Sequence, residues 1–263
     1  MNLPNELLAK LPGRAFESIS LGESGASVWR CTVEHAPALF LKTAAVAADL
    51  RLDNEAHRLR WMKAHELPVP GVRGFGRIGD LEYLLLDEVT GTPASASQWA
   101  LLLPQVVSAL GKELAYLHQT HTADCPFDRR IAEQIAHALR RTTAGLVRED
   151  DFDEIRTGRS ATDLFAELVS SAPDSEDLVF VHGDYCLPNI ILQQAAHGEV
   201  RVAGLIDCGR AGVGDRHQDL ALAVRSITRN IGRVWVQPFL EAYGLAHPDP
   251  AKLHFFALLD EFF

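Results

Sequence analysis

The 263-residue sequence predicts an α+β protein in two lobes: a small N-terminal five-stranded sheet with one helix, and a larger, mainly helical C-terminal part. Three observations carry this. Short apolar runs alternate with turn residues as far as Gly91; one stretch among them has helical spacing; and beyond Thr90-Gly91-Thr92-Pro93 the apolar period becomes that of long helices. The lobe boundary is placed there, giving residues 1–91 and 92–263.

The expected strands of the first lobe are Phe16 to Ser20, Val28 to Val33, Leu39 to Lys42, Val72 to Ile78 and Tyr83 to Glu88. Between the third and fourth, Asp53 to His65 sets Ala56, Leu59 and Met62 three apart on one helical face, and Pro68 and Pro70 stop that helix. In the second lobe Val106, Leu110, Leu114 and Leu117 mark a long helix beginning near Pro104, a residue suited to a first turn. Helices are expected at Arg129 to Leu146 and at Ser160 to Ser170, the latter opening with Ser160 and Asp163 in a capping-box-like pair. Short strands follow at Leu178 to Val181, Ile190 to Leu192 and Val200 to Ile206, then helices at Gln218 to Ile227, Arg233 to Tyr243 and Ala251 to Phe263.

Composition narrows the functions open to the chain. Hydrophobic residues make up 47% and charged residues 23%, the balance of a globular protein rather than a disordered one. With 35 acidic against 25 basic residues the formal charge is −10, which argues against a general nucleic-acid binder and favours cationic partners. No apolar run reaches the ~18 residues of a membrane span, and the start carries no basic-then-apolar leader, so a cytoplasmic protein without membrane or obligate protein partner is expected. Cys31, Cys125, Cys186 and Cys208 are scattered, with no Cys-x-x-Cys pair, and read as reduced thiols.

The chemistry concentrates in two segments, Val181-His182-Gly183-Asp184-Tyr185-Cys186-Leu187-Pro188-Asn189 and Leu205-Ile206-Asp207-Cys208-Gly209-Arg210. A carboxylate and an amide five positions apart on a loop can converge, and a carboxylate leaving a nearby strand can join them. Asn189 and Asp207 offer hard oxygen ligands suited to Mg²⁺, and Asp184 is left to orient a hydroxyl and accept its proton. Singly, each such Asp reads as a turn former or a cap. Together, His-Gly-Asp, four residues and Asn, then Ile-Asp and Gly, resemble the aminoglycoside phosphotransferases, antibiotic kinases with a protein-kinase-like fold; Asp207-Cys208-Gly209 stands where kinases have Asp-Phe-Gly. Cys125-Pro126-Phe127, Asp151-Phe152-Asp153-Glu154, Asp215-Arg216-His217-Gln218-Asp219 and the final Leu258-Leu259-Asp260-Glu261-Phe262-Phe263 are also similar to the 3′-phosphotransferases of that family.

Alone, Lys42 reads as a solvated strand lysine and Glu55 as a surface partner of Arg58. The resemblance implies instead that Lys42 grips the α- and β-phosphates of ATP, or GTP, and that Glu55 steadies it. Phe40 shares the face of Lys42 and is positioned to stack on adenine or to join the core. The turn Gly22-Glu23-Ser24-Gly25-Ala26-Ser27 is neither a Walker A nor a full Gly-x-Gly-x-x-Gly; its amides and the Ser27 hydroxyl would cover the phosphates. Asp87, Glu88 and Val89 would pair with the base through the main chain, with Asp87 and Val89 nearest.

Residues 149–154 include five acids, and the bland reading is a solvated loop. A polyamine sugar, however, needs carboxylates around it. The resemblance assigns substrate contact to Asp153, Glu154, Asp260, Glu261 and the terminal carboxylate of Phe263, with Arg210 beside catalytic Asp184. Where relatives often carry an acid after Arg225-Ser226-Ile227, this chain has Thr228-Arg229-Asn230, which bears on a contact to one outer ring. The expected activity is transfer of a γ-phosphate to the 3′-hydroxyl of a kanamycin- or neomycin-type aminoglycoside, giving resistance. The rivals are a kinase of this fold with another hydroxylated substrate, such as streptomycin at 3″, and a nucleotide-dependent binding protein without catalysis.

Overall fold

The computed structural model describes residues 3–19, 26–46 and 51–263. The chain divides into two compact units, Met1–Gly91 with Ala203–Gly209, and Thr92–Val202 with Arg210–Phe263. The segment that carries Asp207 therefore belongs to the first unit although it follows most of the second in sequence.

The first unit opens with the short helix α1 (Asn5–Leu8), then β1 (Ala15–Ile19), β2 (Ser27–Val33), β3 (Ala36–Ala45), α2 (Leu52–Ala64), β4 (Val72–Ile78) and β5 (Leu81–Asp87). The five strands form an antiparallel sheet in the order β1-β2-β3-β5-β4. Alternation explains its packing: Leu41 and Cys31 face a cluster with Tyr83 and with Leu7 and Leu11 around α1, whereas Phe40 and Lys42 lie on the other face of β3. The sequence pattern missed α1, a single turn too short for periodicity to show. Helix α2 buries Leu52, Ala56, Leu59 and Met62 on one face. Glu55 is buried with them, which a surface partner of Arg58 would not be.

The second unit begins with β6 (Thr92–Pro93) and continues through α3 (Leu103–Leu117), α4 (Ile131–Thr143), α5 (Ala161–Ser170), β7 (Leu178–Val181), β8 (Ile190–Gln194), β9 (Val200–Leu205), β10 (Gly212–Asp215), α6 (His217–Asn230), α7 (Val236–Tyr243) and α8 (Pro250–Leu259). β6, β8 and β9 form a three-stranded sheet, and β9 leads the chain into the Ala203–Gly209 segment of the first unit. One core cluster of the second unit packs Phe255, Phe256, Leu258 and Phe262 with Leu164, Leu168, Ile131 and Ala138. Ser160 caps α5, accepting from the Asp163 N–H at 3.1 Å.

Elements of the second unit also depart from the sequence reading, the two-residue β6 among them. The helix expected from Ala251 to Phe263 is α8 followed by a 3₁₀ turn, Asp260–Phe262, and a 3₁₀ turn at Arg233–Trp235 likewise precedes α7. Strand β10 was not anticipated. It is four residues long and pairs with β7, Gly212 opposite Val181, and runs so close to the segment at Phe127 that a Cβ on Gly212 would lie 2.6 Å from the Phe127 carbonyl oxygen.

Candidate active site

In the first unit the ladder sets the lysine. β3 is paired on both sides, with Lys42 opposite Val28 of β2 and Leu84 of β5, so its position is fixed by two hydrogen-bonded neighbours. Its ammonium donates to both Glu55 carboxylate oxygens, at 2.7 and 2.9 Å, and to Asp207 Oδ1 at 2.9 Å. Burial by itself would lower the Lys42 pKa; the Asp207 and Glu55 carboxylates outweigh it and raise the group above the ordinary lysine value. Lys42 is thus a fixed cation. Asp207 has φ +60°, a left-handed conformation uncommon for a residue with a Cβ and of the kind that clusters at functional positions.

Of the other first-unit candidates, Phe40 is half-buried and lies outside the cluster beneath the sheet, and Ser27 is exposed at the start of β2. The rest of the expected phosphate turn, Gly22 to Gly25, lies outside the described residues. The Asp87 N–H donates to the Gly71 carbonyl at 2.9 Å and its carboxylate binds Arg73 at 2.6 Å. Val89 makes no backbone–backbone hydrogen bond among the described residues.

In the second unit a loop between β7 and β8 carries Asp184 and Asn189. The Asn189 side-chain N–H donates to Asp184 Oδ2 at 2.8 Å and to the Asp184 carbonyl at 3.2 Å. With its nitrogen so committed, the amide oxygen accepts from no donor among the described residues and is the atom left for a cation. The loop is held from behind. Asp219 in the first turn of α6, fully buried, accepts from the His182 N–H at 2.7 Å and the Gly183 N–H at 2.8 Å, and its Oδ2 also lies 3.1 Å from His118 Nε2. Gly183 has φ +83°, and a Cβ there would sit 2.2 Å from the Arg210 carbonyl oxygen, so this turn requires glycine. Ser226 accepts from the Leu187 N–H at 2.9 Å, and Tyr185 donates to the Leu110 carbonyl at 2.9 Å. Asp219, His118 and Ser226 were not singled out from sequence as functional; the available signal was one Asp opening the otherwise apolar run Leu220-Ala221-Leu222-Ala223.

Burial, then neighbouring Asp184, pushes the Cys186 thiol far above its usual range, which keeps it protonated and unreactive. Arg210 donates to Asp260 at 2.7 Å and its guanidinium lies 5.1 Å from the Phe263 ring centroid. Asp260 and then Asp184 keep Arg210 charged against its burial. Asp153 and Glu261 meet in the same cluster, the Asp153 N–H donating to Glu261 at 3.1 Å. Burial first and Asp153 second push the Glu261 carboxyl up to about 7, against the pull of Arg156 at 2.8 Å. Glu154 is exposed and has no ion pair among the described residues.

A buried lysine held by two carboxylates can grip phosphate oxygens, and an aspartate fixed on a stiff loop can orient an attacking hydroxyl; phosphoryl transfer asks for little beyond such positioning and charge. Fold and groups together are those of a kinase-like phosphotransferase. Residues 16–256 match the family model described as the phosphotransferase enzyme family, and the chain belongs to that family, among its aminoglycoside phosphotransferases. It is 39% identical to an aminoglycoside 3′-phosphotransferase of Streptomyces fradiae, over 98% of each chain, and 37% identical to one of Streptomyces ribosidificus, over 96% of this chain and 97% of the other. Among solved structures, an aminoglycoside-3′-phosphotransferase of type VIII superposes with a TM-score of 0.87 at 36% identity, covering 98% of this chain and 97% of that one. An aminoglycoside phosphotransferase from Streptomyces rimosus, in complex with ADP and streptomycin, superposes with a TM-score of 0.78 at 26% identity, over 97% and 95%. Among the described residues no helix is long and apolar enough to cross a membrane.

Proposed function

We propose that the protein transfers the γ-phosphate of ATP to the 3′-hydroxyl of a kanamycin- or neomycin-type aminoglycoside in the cytoplasm, and so gives resistance to it; GTP is the alternative donor. The observation that carries this reading is the Asp184–Asn189 pair on a braced loop, in a chain whose relatives over nearly their full length are named for that reaction.

Asp184 accepts the proton of the hydroxyl as its oxygen bonds to the γ-phosphorus, while the bond from that phosphorus to the β-bridging oxygen breaks and ADP leaves. Lys42 binds the α- and β-phosphates and is aimed by Glu55. Asn189 and Asp207 are the residues to hold Mg²⁺: the hard oxygen of each, one an amide left unbonded and one a partly exposed carboxylate, suits that ion. When bound, the ion supplies neutralisation of phosphate charge. Phe40 stacks on the base, the Val89 main chain and the Asp87 carbonyl read its edge, and Ser27 lies against the phosphates. On the substrate side, exposed Glu154 meets an ammonium group directly, while Arg210 holds Asp260 beside Asp184; Asp153, Glu261 and the Phe263 carboxylate complete the pocket.

The test is a coupled ADP-release assay with ATP and Mg²⁺ on kanamycin, on tobramycin, which lacks the 3′-hydroxyl, and on streptomycin. Turnover on kanamycin alone is expected. Turnover on tobramycin would remove the 3′ position, turnover on streptomycin alone would move the acceptor to another ring, and silence on all three would overturn the substrate class.

A further inference from the structure

Asp153, Asp260 and Glu261 are not free carboxylates awaiting a cation. Asp153 Oδ2 accepts from Arg156 at 3.5 Å and from Arg225 at 3.4 Å, while Asp153 Oδ1 accepts from Arg229. Asp260 accepts from Arg210 at 2.7 Å and from Arg225, and Glu261 accepts from Arg156 at 2.8 Å. Four guanidinium groups thus serve three carboxylates. The cluster reaches the catalytic loop, because the charges of Asp260 and Asp184 both act on Arg210.

The four arginines are not equivalent. The Arg156 side chain is 4% exposed and those of Arg210 and Arg225 are 26% exposed, whereas Arg229, in the last turn of α6, is 59% exposed. Arg229 is also the one guanidinium that donates to Asp153 Oδ1 among the described residues, so withdrawing it takes the donor from that oxygen and leaves the other doubly held. Arg156, Arg225 and Arg210 cannot be withdrawn in this way without leaving a buried carboxylate short of a partner.

We propose that Arg229 is a resident counter-cation that competes with substrate ammonium groups for Asp153 Oδ1, and that it is a specificity-determining residue disfavouring the more highly aminated aminoglycosides. The inference rests on the phosphotransfer reading above. An arriving ammonium must displace a guanidinium that is tethered next to its carboxylate and therefore present at high local concentration. Because an exposed ion pair is weak, the substrate can win. The handicap is about two- to fivefold in affinity, and it falls on substrates that present a cation there rather than a hydroxyl.

The experiment compares the full-length wild-type protein with Arg229→Gln and Arg229→Lys, using neomycin and paromomycin, which differ by one amine against one hydroxyl. Arg229→Gln is expected to lower KM for neomycin about two- to fivefold and for paromomycin less, with the difference shrinking as salt is raised, while Arg229→Lys stays near wild type. A purely structural role would not separate the two substrates. Titration calorimetry with neomycin and no nucleotide reads the same order of affinities independently of turnover. Unchanged or weaker neomycin binding in Arg229→Gln, or a change confined to kcat, overturns the inference. Neomycin binding without turnover in the wild type overturns the phosphotransfer reading while the binding comparison still decides the role of Arg229, and absence of all aminoglycoside binding overturns both.

Discussion

Replacing Asp219 by Asn tests whether the loop that carries Asp184 and Asn189 is held from behind. The wild-type carboxylate, fully buried, takes the N–H groups of His182 and Gly183 at 2.7 and 2.8 Å, one on each oxygen. An amide has one acceptor oxygen, so one of those N–H groups would face an NH₂ instead. A buried donor left unpaired costs about 1–3 kcal/mol, and the surviving bond loses the charge assistance worth about another 1 kcal/mol. A loss of about 3 kcal/mol follows, which for a chain of this size lowers Tm by roughly 6–12 °C. Differential scanning calorimetry reads this, and the ADP-release assay should show kcat falling at least about tenfold with KM for ATP little changed, because Asp219 acts on the loop and not on Lys42. A variant with wild-type Tm and kcat would refute the reasoning that these two hydrogen bonds set the position of Asp184.

Three further outcomes are expected. Lys42→Met removes the ammonium that bridges Glu55 and Asp207, which should cost about 3–5 kcal/mol in denaturant unfolding, and should weaken ATP binding at least about tenfold by fluorescence titration. Asp184→Ala should abolish turnover while ADP still binds; substantial residual turnover removes it from the role of base. Glu261, raised to about 7 from an ordinary 4.5, binds its proton more tightly folded than unfolded, so its contribution to stability is present below about pH 4.5 and is lost as pH rises through 7. Glu261→Gln should flatten that part of a Tm-against-pH curve, and an unaltered slope would show that another group carries it.

The sheet of the first unit was legible because its strands are short apolar runs bounded by turn residues, so Val72 to Ile78 could be read directly. What escaped were elements too short for a period, such as α1 and β10, and contacts between distant positions. Lys42 and Asp207 lie 165 positions apart, and sequence alone gives no reason for the strand-end aspartate to join the first unit rather than the second. The acidic run at 149–154 looked uniformly negative for the same reason. Arg225 and Arg229, which pair with Asp153, stand 72 and 76 positions away on a helix, and adding them changes an acidic loop into an ion network. Asp219 was visible only as a letter in a motif, since its role depends on which backbone amides it meets.

The return of residues 203–209 to the first unit has a consequence for how such proteins can be recombined. A contiguous exchange of the first 91 residues with a relative would import a lysine and a glutamate but leave their third partner, Asp207, behind in the recipient. Hybrids made by a single crossover near Gly91 would then join a donor lysine to a foreign aspartate, whereas a double exchange that also carries Ala203–Gly209 would transplant the whole triad. The first unit is therefore encoded by two separated stretches of gene, and compatibility between them limits which chimaeras retain a fixed cation.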